Sequence, residues 1–168
     1  MKLKTREMKV LKILHLLFVM IWIVGILSMW VLSFLSPKSG DELYMLLASI
    51  LWVDYTLTIP GAICTLLTGI IYGLFTNWGF FKYRWITVKW IVSILVVLVG
   101  TFCFHPSTLN ALEIAERGRN AALGNIACIS ALTETKYLAL IQAGVLIFLV
   151  AISVFKPFGK NNIKKKTD

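Results

Sequence analysis

The sequence predicts an all-α integral membrane protein, a four-transmembrane-helix bundle with additional helical segments on the outer side, and three observations carry that prediction. Hydrophobic residues make up 58% of the 168, with a mean hydropathy of +0.82, more apolar surface than a soluble core of this length hides. Four apolar runs each have about the 20 residues that cross ~30 Å of hydrocarbon as a helix. The basic residues flank those runs instead of spreading over a surface, so the net charge of +9 reads as membrane topology and not as a nucleic-acid interface.

The elements come in this order. A basic leader (Lys2, Lys4, Arg6, Lys9, Lys12) precedes the first span, about residues 10–35. Its apolar part is longer than that of a signal peptide, and no small-x-small cleavage site follows before Pro37, so the helix is expected to stay. Residues 41–53, "DELYMLLASILWV", follow the turn-like "SPKSG" and open on acids that favour a helix N-terminus. This segment is too short to span. It is either an interfacial helix or an outward extension of the second span (57–75), bent near Pro60. The third span covers 85–104. His105 precedes Pro106, and the extended preference before proline marks the end of that helix. The alanine-rich stretch 107–132 is helical, broken around Gly118 and Gly124, and caps the outer face. The fourth span covers 137–155, and a basic tail fills 156–168.

Orientation comes from Lys and Arg counted by side. The leader, Lys82 and Arg84 of the loop after the second span, and Lys156, Lys160, Lys164, Lys165 and Lys166 of the tail total twelve. The opposite side has four: Lys38, Arg117, Arg119 and Lys136. Both termini are therefore expected in the cytoplasm, with the chain in a bacterial cytoplasmic membrane. Lys164 to Lys166 favour anionic lipid at the inner leaflet. Trp78 and Trp85 suit the inner boundary as anchors, and Trp30 and Trp52 the outer one.

Several chemistries find no support. Cys64, Cys103 and Cys128 have no Cys-x-x-Cys spacing, so neither a disulfide framework nor a zinc site is expected. The five methionines lack a Met-x-x-Met pair, which leaves soft-metal ligation without a basis. Nothing resembles a phosphate loop, a hydrolase nucleophile with its base or a metalloprotease helix.

A few positions differ from lipid-facing filler. Gly61, Thr65, Thr68 and Tyr72 stack on one face of the second span, and Gly69 and Gly73 add a G-x-x-x-G pair. Small and hydroxylated residues let membrane helices approach closely, within one chain or between copies in a homo-oligomer. Lys89, Ser93, Val96, Gly100 and Cys103 share a face of the third span, as do Gln142 and Ser153 of the fourth. Asp54 is expected to cap the second span, with a proton or cation site as the alternative. His15 lies three residues past Lys12, and Lys89 five past Arg84. Both then sit near the cytoplasmic edge, within reach of each other if their helices are neighbours. Two readings stand open for each: Lys89 snorkels or pairs with a carboxylate, and His15 is a packed interfacial ring or a ligand. Trp22 shares the face of His15, and Gly25 comes one turn later. His105, the other histidine, lies ~30 Å away along the membrane normal, so the two cannot share one iron.

The arrangement H-x6-W-x2-G (His15, Trp22, Gly25) after a basic leader resembles the first helix of HemJ-type bacterial membrane proteins. Trp85 and Lys89, as W-x3-K opening a later span, resemble that family's lysine-bearing helix. The resemblance implies a haem-binding protoporphyrinogen oxidase, with haem b on His15 and Lys89 as its functional partner. The family's Leu-Pro-Arg motif is replaced here by "ILSMWVLSFLSP". The complete layout, including "IPG" at 59–61 and a helical outer loop after "HP", is similar to bacterial predicted integral membrane proteins of unknown function, which share the four-helix plan of HemJ-type and CopD-type domains. The expected function is thus a small multi-pass protein holding haem or porphyrin near the cytoplasmic face through His15, with Trp22 and Lys89 nearby. The alternatives are a small transporter using the Gly/Thr seam and Gln142, or an accessory subunit that displays the outer loop and the basic tail.

Overall fold

The computed structural model describes residues 4–76 and 79–156, so Lys2, Trp78 and the tail lysines Lys160 and Lys164 to Lys166 lie outside the described residues. The described chain is all-α. Its elements are α1 (Thr5–Leu32), α2 (Gly40–Val53), a π turn (Asp54–Thr58), α3 (Ile59–Phe75), α4 (Arg84–Val99), a second π turn (Gly100–Phe104), α5 (His105–Gly118), a 3-10 segment (Arg119–Gly124) and α6 (Ile126–Phe155). Four helical stretches among them, Thr5–Leu32, Gly40–Phe75, Arg84–Gly124 and Ile126–Phe155, are long and apolar enough to cross a membrane.

Two of these helices are longer than a span because each carries a proline through a widened turn. Pro60 and Pro106 lack an N–H, and in α geometry their rings would press on the carbonyls of Thr56 and Phe102. Both carbonyls lie inside the π turns. There the bonds run five residues back, from the Ile59 N–H to the Asp54 carbonyl and from the His105 N–H to the Gly100 carbonyl. The proline is thereby accommodated without a break. Residues 41–53 are accordingly an outward extension of the second helix and not a separate interfacial helix. The expectation that His105 ends the third helix is not met, because the second π turn removes the clash that would have stopped it.

Helix α1 is the centre of the bundle, packed against both α3 and α6. It crosses α3 antiparallel at very short range: a Cβ on Gly61 would lie 2.7 Å from the Trp22 nitrogen, and one on Gly25 would lie 2.9 Å from the Thr58 nitrogen. The main core forms around this crossing, from Trp22, Ile26 and Met29 of α1, Ala62 of α3, and Ala139, Ala143, Leu146, Leu149 and Ile152 of α6. Helix α4 stands at the edge, with only Ile86 and Val96 buried. It packs on α6 and reaches α3 through Trp90.

Beyond the π turns, α2, α5, the 3-10 segment and the start of α6 form a cap. A second core fills it, with Leu43 and Leu47 of α2 packed on the small side chains of Ala111, Ala115, Ala122, Cys128 and Ala131. Ser39 starts α2 by accepting from the Glu42 N–H, and Asn125 starts α6 by accepting from the Ala127 N–H. Gly40 lets the backbone of Arg119 and Asn120 lie directly against α2, and its N–H donates to Asn120 Oδ1 at 2.7 Å. Arg119 is held there at a φ of 43°, its guanidinium over the Tyr44 ring and 3.2 Å from Asp41.

Exposed aromatic side chains occur toward both ends of the bundle, where such residues suit membrane–water boundaries. Trp52, Tyr55, Phe102 and Tyr137 are exposed near the π turns, and Phe75, Phe81 and Phe155 near the opposite end. That second end, where α1 begins and α6 stops, is the terminal end of the bundle. Trp30 stacks edge-on against Phe34, and Trp85 lies half-buried against the main core.

The close crossing makes Gly61 hard to replace, because the atoms a Cβ would meet are the backbone of Trp22. Gly61→Ala is expected to lower stability by about 1–3 kcal/mol through overpacking against Trp22. Gly100→Ala, at a position with nothing within 4 Å, is expected to leave stability unchanged or raised. Thermal unfolding of both variants in detergent, beside the parent, measures the difference.

Candidate functional site

Two polar clusters interrupt the apolar bundle, one at each end. At the terminal end His15 of α1 meets α3 and α4. Its Nδ1 lies 2.8 Å from Thr68 Oγ1. Thr68 has a single hydroxyl proton, which it directs to main-chain carbonyls of its own helix, Cys64 at 2.7 Å and Thr65 at 3.0 Å. Its oxygen is therefore the acceptor and His15 Nδ1–H the donor, which leaves the lone pair of the neutral ring on Nε2. The main-chain carbonyl of Thr65 is a second hydrogen-bond acceptor for the ring. The Tyr72 ring stands edge-on to the imidazole at 6.0 Å, with its hydroxyl donating to the Met8 carbonyl at 3.2 Å.

The absence of a side chain at Gly69 lets two rings pack close to α3. A Cβ on it would contact the Trp90 ring at 3.4 Å and His15 Cε1 at 4.0 Å, so both rings lie over that glycine. Phe80 packs against Trp90 and covers Gly73 in the same way. Lys89, beside Trp90 on α4, is within electrostatic reach of His15, and its ammonium donates to Ser153 Oγ at 2.6 Å. The fold thus brings His15, Thr68, Gly69, Tyr72, Gly73 and Lys89 to one end. It adds Trp90, Phe80 and Ser153 as neighbours that spacing along the chain does not reveal.

The other positions singled out in the sequence lie elsewhere. Trp22 is 2% exposed in the main core, its backbone on Gly61, two turns from His15. Its place is therefore the helix crossing and not the wall of the terminal-end site. Gly61 belongs to the same crossing. Thr65 is buried with its hydroxyl unpaired, as is the hydroxyl of Thr58. Gln142 is half-buried on α6, and no hydrogen bond joins it to α3 among the described residues.

The second cluster joins the two π turns. His105 lies between two consecutive residues of the other helix, with Nδ1 3.2 Å from Asp54 Oδ2 and Nε2 3.0 Å from the Tyr55 hydroxyl. Asp54 is an acceptor toward the Nδ1–H, and the phenol donates to Nε2, so all three groups are satisfied with a neutral ring and a carboxylate. The side chains grade from the buried Asp54 (6% exposed) through His105 (24%) to the exposed Tyr55. Sequence reasoning assigned Asp54 to a cap and His105 to a helix end. A usable signal was nonetheless there: counted from Thr76 and Arg84 at the terminal end, the lone acid and the histidine sit at matching depth on helices two and three.

No group of three or more His, Cys, Asp or Glu able to enclose a metal ion occurs among the described residues. Comparisons with protein-family models, with curated proteins and with solved structures give no match to this chain.

The hydrogen-bond directions predict an observable. With histidine nitrogens labelled, both imidazoles should show the Nδ1–H tautomer in the neutral state, the minority form in water. Thr68→Val should return His15, and only His15, toward the Nε2–H form. Nitrogen-15 spectra of the parent and the single variant read this directly.

Proposed function

We propose that this chain is a multi-pass protein of the bacterial cytoplasmic membrane, with both termini inside, that holds haem b or a related anionic porphyrin at the terminal end. The observation that carries the reading is the commitment of Thr68. By accepting from His15 Nδ1–H it fixes ring and tautomer and presents the Nε2 lone pair, as an outer hydrogen bond does for metal-ligating histidines.

The surroundings suit such a group. Trp90, Tyr72 and Phe80 are its aromatic neighbours, and because Trp90 and His15 lie in contact over Gly69, a planar group enters by parting α4 from α3. Lys89 has three donors and gives one to Ser153, leaving two for a propionate. The leader residues Lys4, Arg6, Lys9 and Lys12 lie at this end with Lys82, Arg84 and Lys156, which supports its placement in the cytoplasm. A bound haem supplies one-electron redox chemistry. The chain's own contribution is to ligate through His15, to orient that ring through Thr68 and to anchor an acidic edge through Lys89.

Protein purified from haem-replete cells is expected to show a Soret band, and His15→Ala to lose it. Lys89→Gln should keep the band but bind about tenfold more weakly, the worth of one charge-assisted hydrogen bond. Absence of the band in the parent, or its survival in His15→Ala, would remove the reading.

A further inference from the structure

The cluster at the π turns has the connectivity of an activated nucleophile. The buried Asp54 carboxylate accepts from Nδ1–H of His105 at 3.2 Å, the other ring nitrogen accepts from the Tyr55 phenol at 3.0 Å, and that phenol is exposed. Acid, imidazole and hydroxyl thus form one chain of hydrogen bonds that runs from the interior to the surface. Such a chain is recognised by geometry and roles and not by order along the sequence. Here two members are consecutive on one π turn, and the third follows the other π turn 50 and 51 residues away, so no local motif announces it. The His105 and Tyr55 rings stand edge-on with centroids 5.1 Å apart, a packing contact that helps to hold the phenol at the base.

We propose that Tyr55 is an acyl-accepting nucleophile at the cap-side edge of the apolar zone, with His105 as its general base and Asp54 as a positioning residue, and that its substrates are esters dissolved in the bilayer. This activity goes beyond the haem reading, which concerns the opposite end of the bundle. The phenol oxygen bonds to the ester carbonyl carbon as its proton passes to His105 Nε2. The adduct then expels the alcohol oxygen, which takes that proton back, and the acyl group remains on Tyr55. Water or a second alcohol repeats both steps and frees the phenol. No electron is transferred. Between the two proton transfers His105 is an imidazolium, and the carboxylate beside it favours that charge. A phenoxide leaves more readily than an alkoxide, so the acyl group on Tyr55 is set for onward transfer.

The surroundings select an acyl group over a phosphoryl group. A phosphoryl substrate carries negative charge and needs cations at the reacting centre. Cations of this half of the molecule are engaged elsewhere: Arg117 faces Glu113, Arg119 lies against Asp41 and the Tyr44 ring, and Lys136 is held over Phe34. Lys38 belongs to the turn before α2. An ester carbonyl is neutral and requires no such partner for binding. Trp52 and Phe102, each three residues before a member of the cluster, are among the most exposed aromatic side chains at this end. They supply apolar surface for the chain of a substrate whose carbonyl lies at the level of the phenol.

The test uses the purified full chain in vesicles of ether lipids, which hold no competing esters, with p-nitrophenyl decanoate as the probe. After acid quench, the decanoyl group should be found by peptide mass on Tyr55. Tyr137, 61% exposed against 52% for Tyr55, is the internal control for an unassisted phenol at the same end. Tyr55 should be acylated about 100-fold faster than Tyr137, a typical scale of general-base assistance. His105→Gln keeps an acceptor for the phenol without a base and should bring Tyr55 down to the Tyr137 rate. Asp54→Asn should slow the reaction at Tyr55 at least about tenfold and turn His105 toward the Nε2–H tautomer in nitrogen-15 spectra, a change that loosened packing alone does not produce. Acylation of Tyr55 no faster than that of Tyr137, or a parental rate in His105→Gln or Asp54→Asn, would overturn the proposal. The comparison of the two tyrosines is made within the parent, so it stands even where a variant misfolds. Haem binding at His15 enters none of these readouts.

Discussion

The structure depends on one contact, the antiparallel crossing of α1 and α3 at Gly25 and Gly61. In a membrane, apolar side chains gain little by leaving lipid for a protein interior, so helices associate through close packing and polar contacts. Two glycines set opposite Thr58 and Trp22 bring the backbones together where larger residues would hold them apart. This proximity fixes the register in which His15 meets Thr68 and Tyr72 reaches the Met8 carbonyl. The terminal-end cluster is thus a consequence of packing two turns away from it.

The π turns settle a second constraint. A proline inside a membrane helix frees a carbonyl that lipid cannot satisfy. A widened turn resolves this locally while rotating the remainder of the helix by about one residue, some 100°. Here two such turns face each other at the same depth, and the rotated positions are those that bind: Asp54 and Tyr55 on one helix, His105 on the other. The proline sites therefore join the second and third helices where they leave the apolar zone.

The legibility of the sequence tracks the strength of the physical constraint. Hydrocarbon thickness demands four long apolar runs, and those were plain. The hydroxyl face of α3 was readable because helical periodicity alone creates it, and the depth of His15 and Lys89 because flanking charges give a scale. The link from His105 to Asp54 was not readable, since the rule that a residue before proline prefers extended backbone assumes an α geometry that the π turn abandons. Nor was the bond of Lys89 to Ser153, which depends on α4 lying beside α6 at the edge of the bundle. Trp22 was misleading in another way: sharing a helix face with His15 put it in the same stripe, but the stripe runs under α3, and only its terminal-end portion opens toward α4.

The continuity of helices two and three beyond the apolar zone has a structural meaning. Gly40–Phe75 and Arg84–Gly118 run through their π turns unbroken, and the cap is their projecting ends closed by the 3-10 segment and the start of α6 and clasped where Gly40 receives Arg119 and Asn120. The cap therefore shares its backbone with the two helices that carry the Asp54 and His105 cluster. It is accordingly less a lid resting on the bundle than a continuation of it.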